Sequence, residues 1–125
     1  MHYVGKLDKE RYRCVAEDIT TEDVIITETQ IRHIMERHPG DYERFFGFFH
    51  EIISDPDYII EANKPNTAVL LKEVQVAGEP FKLVLRLAVS TDHPNYKNSI
   101  ITFMKIDKKS LERLARNKKV LYRRE

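Results

Sequence analysis

Nine side chains in this 125-residue chain form a candidate set of the cationic, hydroxyl, amide and imidazole types that phosphate chemistry requires: His33, Arg37, His38, Lys72, Arg86, Asn98, Ser99, Thr102 and Tyr122. Such an inventory is compatible with cleavage of RNA without a metal. A base takes the proton of a ribose 2′-hydroxyl, which then attacks the adjacent phosphorus. A cation or hydroxyl stabilises the charge on the phosphoryl oxygens, and an acid protonates the departing 5′-oxygen. Each proton-transfer role contributes about 10²–10⁴ in rate, and donors aimed at the phosphoryl oxygens add a further large factor. Histidine suits the proton roles because its ordinary pKa lies near neutrality.

Each of these residues also has a plainer use. His38 precedes Pro39 and fits a helix end, where the dipole favours an imidazolium. His33 and Arg37 share a polar helix side and fit a solvated face. Thr102 interrupts an apolar run, so its hydroxyl serves either a core hydrogen bond or a site, because burying it unpaired costs about 2 kcal/mol. Tyr122 sits in an edge-strand pattern and fits packing. Lys72 and Arg86 are mid-strand cations, which either snorkel to water or meet an anion.

Other chemistries find no pattern. The four glycines are dispersed, so neither a dinucleotide loop nor a P-loop is encoded. His33 and His38 are five residues apart, which sets them about 140° apart on a helix rather than on one face. No Gly-x-Ser-x-Gly elbow occurs, and the single cysteine, Cys14, lies in a charged, unpatterned stretch. The expectation is no metal and no cofactor.

One cysteine and the lack of an apolar leader in Met1 to Glu10 suggest a reducing, cytoplasmic setting. No apolar run is long enough for a bilayer. The net charge of +1 conceals an asymmetry: residues 1–62 hold 7 Lys/Arg against 14 Asp/Glu, and residues 63–125 hold 14 against 6. The basic second half is a candidate footprint for phosphates, or a solvated face paired internally with the acidic half.

The elements that must position these groups follow from periodicity. Residues 1–26 form a less regular lead-in, with weak strands at Tyr12–Val15 and Val24–Thr27. Thr27-Glu28-Thr29-Gln30 is a capping box that opens a helix to about His38, stopped by Pro39-Gly40. A second helix runs from an Asp41 cap to about Ser54, with Phe45, Phe48, Phe49, Ile52 and Ile53 as a broad apolar stripe. Strands follow at Tyr58–Ile60, Thr67–Val76 and Phe81–Val89, the last alternating so that Lys82 and Arg86 share an open face. Asn98–Ile106 is apolar on both faces, the mark of an interior strand. Asp107 caps a helix to about Asn117, and Lys119–Arg123 is a final edge strand. The expected class is α+β in a single domain: two N-terminal helices on one face of a four- to five-stranded antiparallel sheet, with a short helix before the last strand.

Three segments together carry a resemblance: Arg37-His38-Pro39 ending the first helix, Asp55-Pro56-Asp57 ahead of a strand, and Asn98-Ser99-Ile100-Ile101-Thr102 in a late strand. In order and spacing, over about residues 27–124, they resemble the phage-associated branch of the barnase/EndoU/colicin/RelE-like ribonuclease superfamily. That resemblance implies a two-helix, four-strand antiparallel fold and metal-independent cleavage of RNA, with tRNA or rRNA as substrate. The helix histidine would be His38, with His33 a second candidate; the strand cation Lys72 or Arg86; the late-strand hydroxyl Thr102 or Ser99. Arg37, Asn98, Lys82, Lys105 and Tyr122 would bind substrate, and the basic terminal segment would track the RNA backbone. An acidic inhibitor protein is a fitting partner. Two other classes are consistent with the residues: a nucleic-acid-binding module without chemistry, and a phage structural or interaction domain.

Overall fold

The computed structural model describes all 125 residues. Its centre is a strand pair, β4 (Thr67–Val74) and β5 (Glu79–Arg86), antiparallel with Leu70 opposite Leu83. Leu70, Leu83 and Leu85 are fully buried on one face, and the period-2 alternation turns Lys82, Val84 and Arg86 to the other. β6 (Asn98–Lys105) pairs antiparallel with β5. On the far side of β6 lies β2 (Asp23–Ile26), and this pairing is parallel, with Val24 beside Asn98. β1 (His2–Lys6), β3 (Tyr58–Glu61) and β7 (Val120–Arg123) complete a seven-stranded mixed sheet in the order β1-β2-β6-β5-β4-β3-β7.

The four- to five-stranded antiparallel expectation is therefore corrected. The lead-in supplies two strands, and one junction is parallel because β2 reaches β6 across most of the chain instead of through a hairpin. The expected strand at Tyr12–Val15 is also replaced. The Asp8 side chain accepts the Glu10 N–H at 3.0 Å and caps a short helix, α1 (Lys9–Tyr12). Tyr12 is fully buried and its hydroxyl donates to the Ile53 carbonyl. Burial raises the pKa of that phenol far above its ordinary value, so it stays a donor.

The first long helix, α2 (Glu28–Arg37), starts where the capping pattern places it: Thr27 Oγ1 accepts the Gln30 N–H at 3.2 Å. The second is interrupted. α3 (Asp41–Phe45) passes through a 3₁₀ turn, Phe46–Phe48, into α4 (Phe49–Ser54). A 3₁₀ turn brings residues three apart into line, and Phe45 and Phe48 both face Phe81, with ring centroids at 4.8 and 6.4 Å. Phe49 and Phe103 extend this aromatic core.

The two sheet faces differ. Ile34, Phe45, Phe49, Ile52 and Ile53 of α2–α4 seal one face together with Leu70, Leu83, Leu85 and Phe103. The opposite face is not wholly free of helices, as the sequence pattern had suggested. α5 (Lys108–Asn117), capped by Asp107 on the Ser110 N–H at 2.7 Å, sets Leu111 and Leu114 against Ile60, Val69, Leu71 and Val84. The uncovered remainder of that face is where the cleft lies. No helix is long and apolar enough to cross a membrane.

Candidate functional site

The cleft occupies about 680 Å³ on the α5 side of the sheet. Val69, Val84, Ile60 and Ile101 form its floor, Leu114 of α5 one wall, and the β3–β4 turn from Glu61 to Pro65 another. Tyr96, from the loop between β5 and β6, stands opposite at 38% exposure. Lys64, Lys82, Arg86 and Lys118 supply four cations, and Glu61 is the only carboxylate in the lining. None of the three lysines forms an ion pair, so their charge is available to a ligand. Asn63 is the only side-chain amide there.

Arg86 is held in place from behind. It donates to Asp92 through Nη1 at 3.1 Å and Nη2 at 2.9 Å, and Nη1 also donates to the Leu87 carbonyl. Asp92 in turn accepts the Val89 N–H at 2.8 Å. The hydrogen bond from Arg86, then that from Val89, keeps the Asp92 carboxyl below its ordinary pKa. The guanidinium lies 5.4 Å from the centre of the Tyr96 ring. A guanidinium has five N–H donors, so the three bonds that fix it leave others for a ligand.

β6 contributes through an irregularity. Arg86 faces Ser99 and Val84 faces Thr102, with the register shifted between them. The extra residue is Ile101, and a bulge sends consecutive side chains to the same side. Ser99, Ile101 and Thr102 thus belong to the cleft face, whereas Ile100 and Phe103 enter the core. No hydrogen bond within the chain engages the Thr102 hydroxyl, and no buried polar atom is left unpaired. The open alternatives for Thr102 resolve as to position: it lies on the cleft face and not in the core.

Lys82 and Arg86 therefore line the cleft, with Ser99 and Thr102 beside them on the same face of the sheet but outside the lining, and the other sequence candidates lie elsewhere. Lys72 alternates to the helix face between Leu70 and Val74. Its side chain is only 6% exposed and meets Asp55 at 3.3 Å and Asp57 at 3.6 Å. Arg124 joins the same carboxylates, at 3.1 Å from Asp55 and 3.5 Å from Asp57. The Asp55-Pro56-Asp57 segment is thus the anchor for a buried cation and the chain terminus. Lys72 and Arg86 cannot grip one phosphate from opposite sides of a sheet.

Asn98 is fully buried. Its Oδ1 accepts the Ala88 N–H at 2.7 Å, and its Nδ2 donates to the carbonyls of Thr21 and Asp23 at 2.8 and 2.9 Å. Those bonds fasten β2 and the end of β5 to β6, and no donor of that amide remains for substrate. Tyr122 packs against the helix-side core with the Arg11 guanidinium 5.3 Å from its ring. Lys105 ends β6 opposite Phe81, with Glu79 at 3.9 Å. His33 and Arg37 belong to α2, whose Ile34 enters the core of the opposite face, and His38 caps its C-terminus; none of them lines the cleft.

Glu61, Tyr96, Lys64 and Asn63 were missed by sequence reasoning, whereas Lys118 belongs to the basic terminal segment expected to follow RNA. They lie in turns and at element ends, where no periodicity points. The one available signal was the turn cluster Asn63-Lys64-Pro65-Asn66 following a buried strand, since loops on a rigid scaffold often carry function. No group of three or more His, Cys, Asp or Glu side chains is arranged to hold a metal ion.

An α+β sheet with one helix-packed face, and a cationic cleft on the other, defines the structural class. Within that class the chain belongs to the family described as phage-Barnase-EndoU-ColicinE5/D-RelE like nuclease2, whose model matches residues 1–123. No curated protein and no solved structure gives a significant match.

Proposed function

We propose that the protein is an endoribonuclease that cleaves RNA by attack of the ribose 2′-hydroxyl, without a metal, using the groups of this cleft. The observation that carries the proposal is the meeting of three unpaired lysines with an arginine held by Asp92 on the open sheet face of a chain from a nuclease family. The proton of the 2′-hydroxyl passes to solvent as its oxygen bonds to phosphorus, since Glu61, paired with Ala68 and accepting the Lys119 N–H, belongs to the other face of the sheet. Arg86 holds the phosphoryl oxygens, with the Ser99 and Thr102 hydroxyls as further donors from the adjoining strand. The bond to the 5′-oxygen breaks, and the Lys82 ammonium supplies its proton. The products are a 2′,3′-cyclic phosphate and a free 5′-hydroxyl. Proton donation to the leaving group thus moves from His38 and His33, which lie outside the cleft, to Lys82, which lines it.

The deciding experiment is incubation of the protein with tRNA and rRNA in excess EDTA, with analysis of the new ends. Cyclic phosphate ends, lost in Lys82→Ala by a factor of about 10²–10⁴, are expected. Cleavage that needs an added divalent ion, or that survives Lys82→Ala and Arg86→Ala unchanged, is the result that removes the proposal.

A further inference from the structure

The cleft is not uniformly polar. Beneath the rim of Lys64, Lys82 and Arg86 lies an apolar floor, with the Tyr96 ring exposed at its lip and Arg86 stacked against that ring. A phosphate alone would use the rim and leave the floor wet. A ligand that satisfies both must be anionic at one end and flat and apolar at the other. A nucleotide whose base has left its stack has that form; a base inside a duplex does not, because its neighbours cover both faces.

Resting on the ribonuclease reading above, we infer that this site takes unpaired RNA, with one nucleobase seated on Val69, Val84 and Ile101 and stacked at the lip by Tyr96. The base sits on the floor while its phosphate meets Arg86 and Lys82. Asn63, with both an amide donor and a carbonyl acceptor, is the group placed to read the edge of that base. The volume of about 680 Å³ falls in the roughly 300–1,000 Å³ range of sites for small ligands, which suits one or two nucleotides and not a helical groove. Tyr96 is therefore a specificity-determining residue and not a proton donor.

The test uses binding, so that it does not depend on turnover. A fluorescent 2′-O-methyl oligoribonucleotide of mixed sequence, which cannot be cleaved, is titrated with the full chain as a single strand and again annealed to its complement. The single strand is expected to bind at least tenfold tighter. Tyr96→Ala should lose about tenfold of that affinity, and Tyr96→Phe should keep it, since stacking needs the ring alone. Equal binding of strand and duplex, indifference to Tyr96→Ala, or no binding of either form overturns the inference. Selective, Tyr96-dependent binding without any cleavage of natural RNA would instead remove the ribonuclease proposal and leave this inference standing. Equal cleavage of single and double strands, with no effect of Tyr96→Ala on binding, does the reverse.

Discussion

Arg86 and Asp92 face one another through two near-parallel hydrogen bonds of 2.9 and 3.1 Å, six residues apart across the end of β5. The pair does two things together. It aims a cation at the cleft, and through the Val89 N–H it closes the loop that carries Tyr96. Bidentate pairing of this kind fixes a guanidinium plane as a single contact could not.

Loss of the pair is expected to affect both position and stability. The Asp92 carboxyl is held below its ordinary value of 3.8, chiefly by Arg86. A depressed carboxyl contributes stability that is fully present above its ordinary pKa and is lost as pH falls through the lowered value. Asp92→Asn should therefore lower the melting temperature at pH 7, with the difference from wild type closing below about pH 3.8. Thermal melts across that range check it; a gap independent of pH would show that the charge plays no part.

Lys82 is the unpaired cation on β5, four residues from Arg86 on the same face. Lys82→Ala should weaken RNA binding at low salt by about tenfold. It should also reduce the slope of log affinity against log salt by about 0.7, the share of one phosphate contact to a single strand. An unchanged slope in a salt titration would place Lys82 outside the phosphate path.

Lys72 is expected to support the fold and not the chemistry. Replacing Asp55 and Asp57 together by Asn would strand an ammonium that is only 6% exposed, a change worth about 3–5 kcal/mol when a buried pair is broken. Lys72→Met keeps the volume and should cost far less. Urea denaturation ranks the variants, and the cleavage rate per folded molecule should stay within about threefold of wild type for Lys72→Met.

Gly5 has a φ of +151°, and a Cβ placed there would lie 2.5 Å from Cδ2 of the His50 ring. Strain of this kind costs about 1–3 kcal/mol. Gly5→Ala should lower stability by about 2 kcal/mol, and Gly5→Ala/His50→Ala should recover part of that loss. A chemical-denaturation cycle measures both.

Asn98→Ala removes the amide that bonds Ala88, Thr21 and Asp23. Buried partners left unsatisfied cost about 1–3 kcal/mol each, so a loss of at least about 2 kcal/mol is expected, seen as a lowered urea midpoint. Asn98→Asp should not restore it, because a carboxylate cannot donate to the two carbonyls.

Local chemistry wrote the parts of this protein that contacts between neighbours in sequence can specify. Thr27 and Asp107 cap their helices, the β5 alternation separates Lys82 and Arg86 from Leu83 and Leu85, and the family likeness was visible in three short segments. What the chain alone could not reveal depended on pairings between distant residues. β2, four residues long, becomes an interior strand through its pairing with β1 and β6, with Asn98 bonding the Thr21 and Asp23 carbonyls. A bulge at Ile101, with no mark in the sequence, decides that Thr102 faces the cleft. Sign and spacing could nominate Lys72 as readily as Arg86, since both are cations within strands. Only the face each residue takes separates the lysine held by Asp55 and Asp57 on the helix side from the arginine held by Asp92 on the open side.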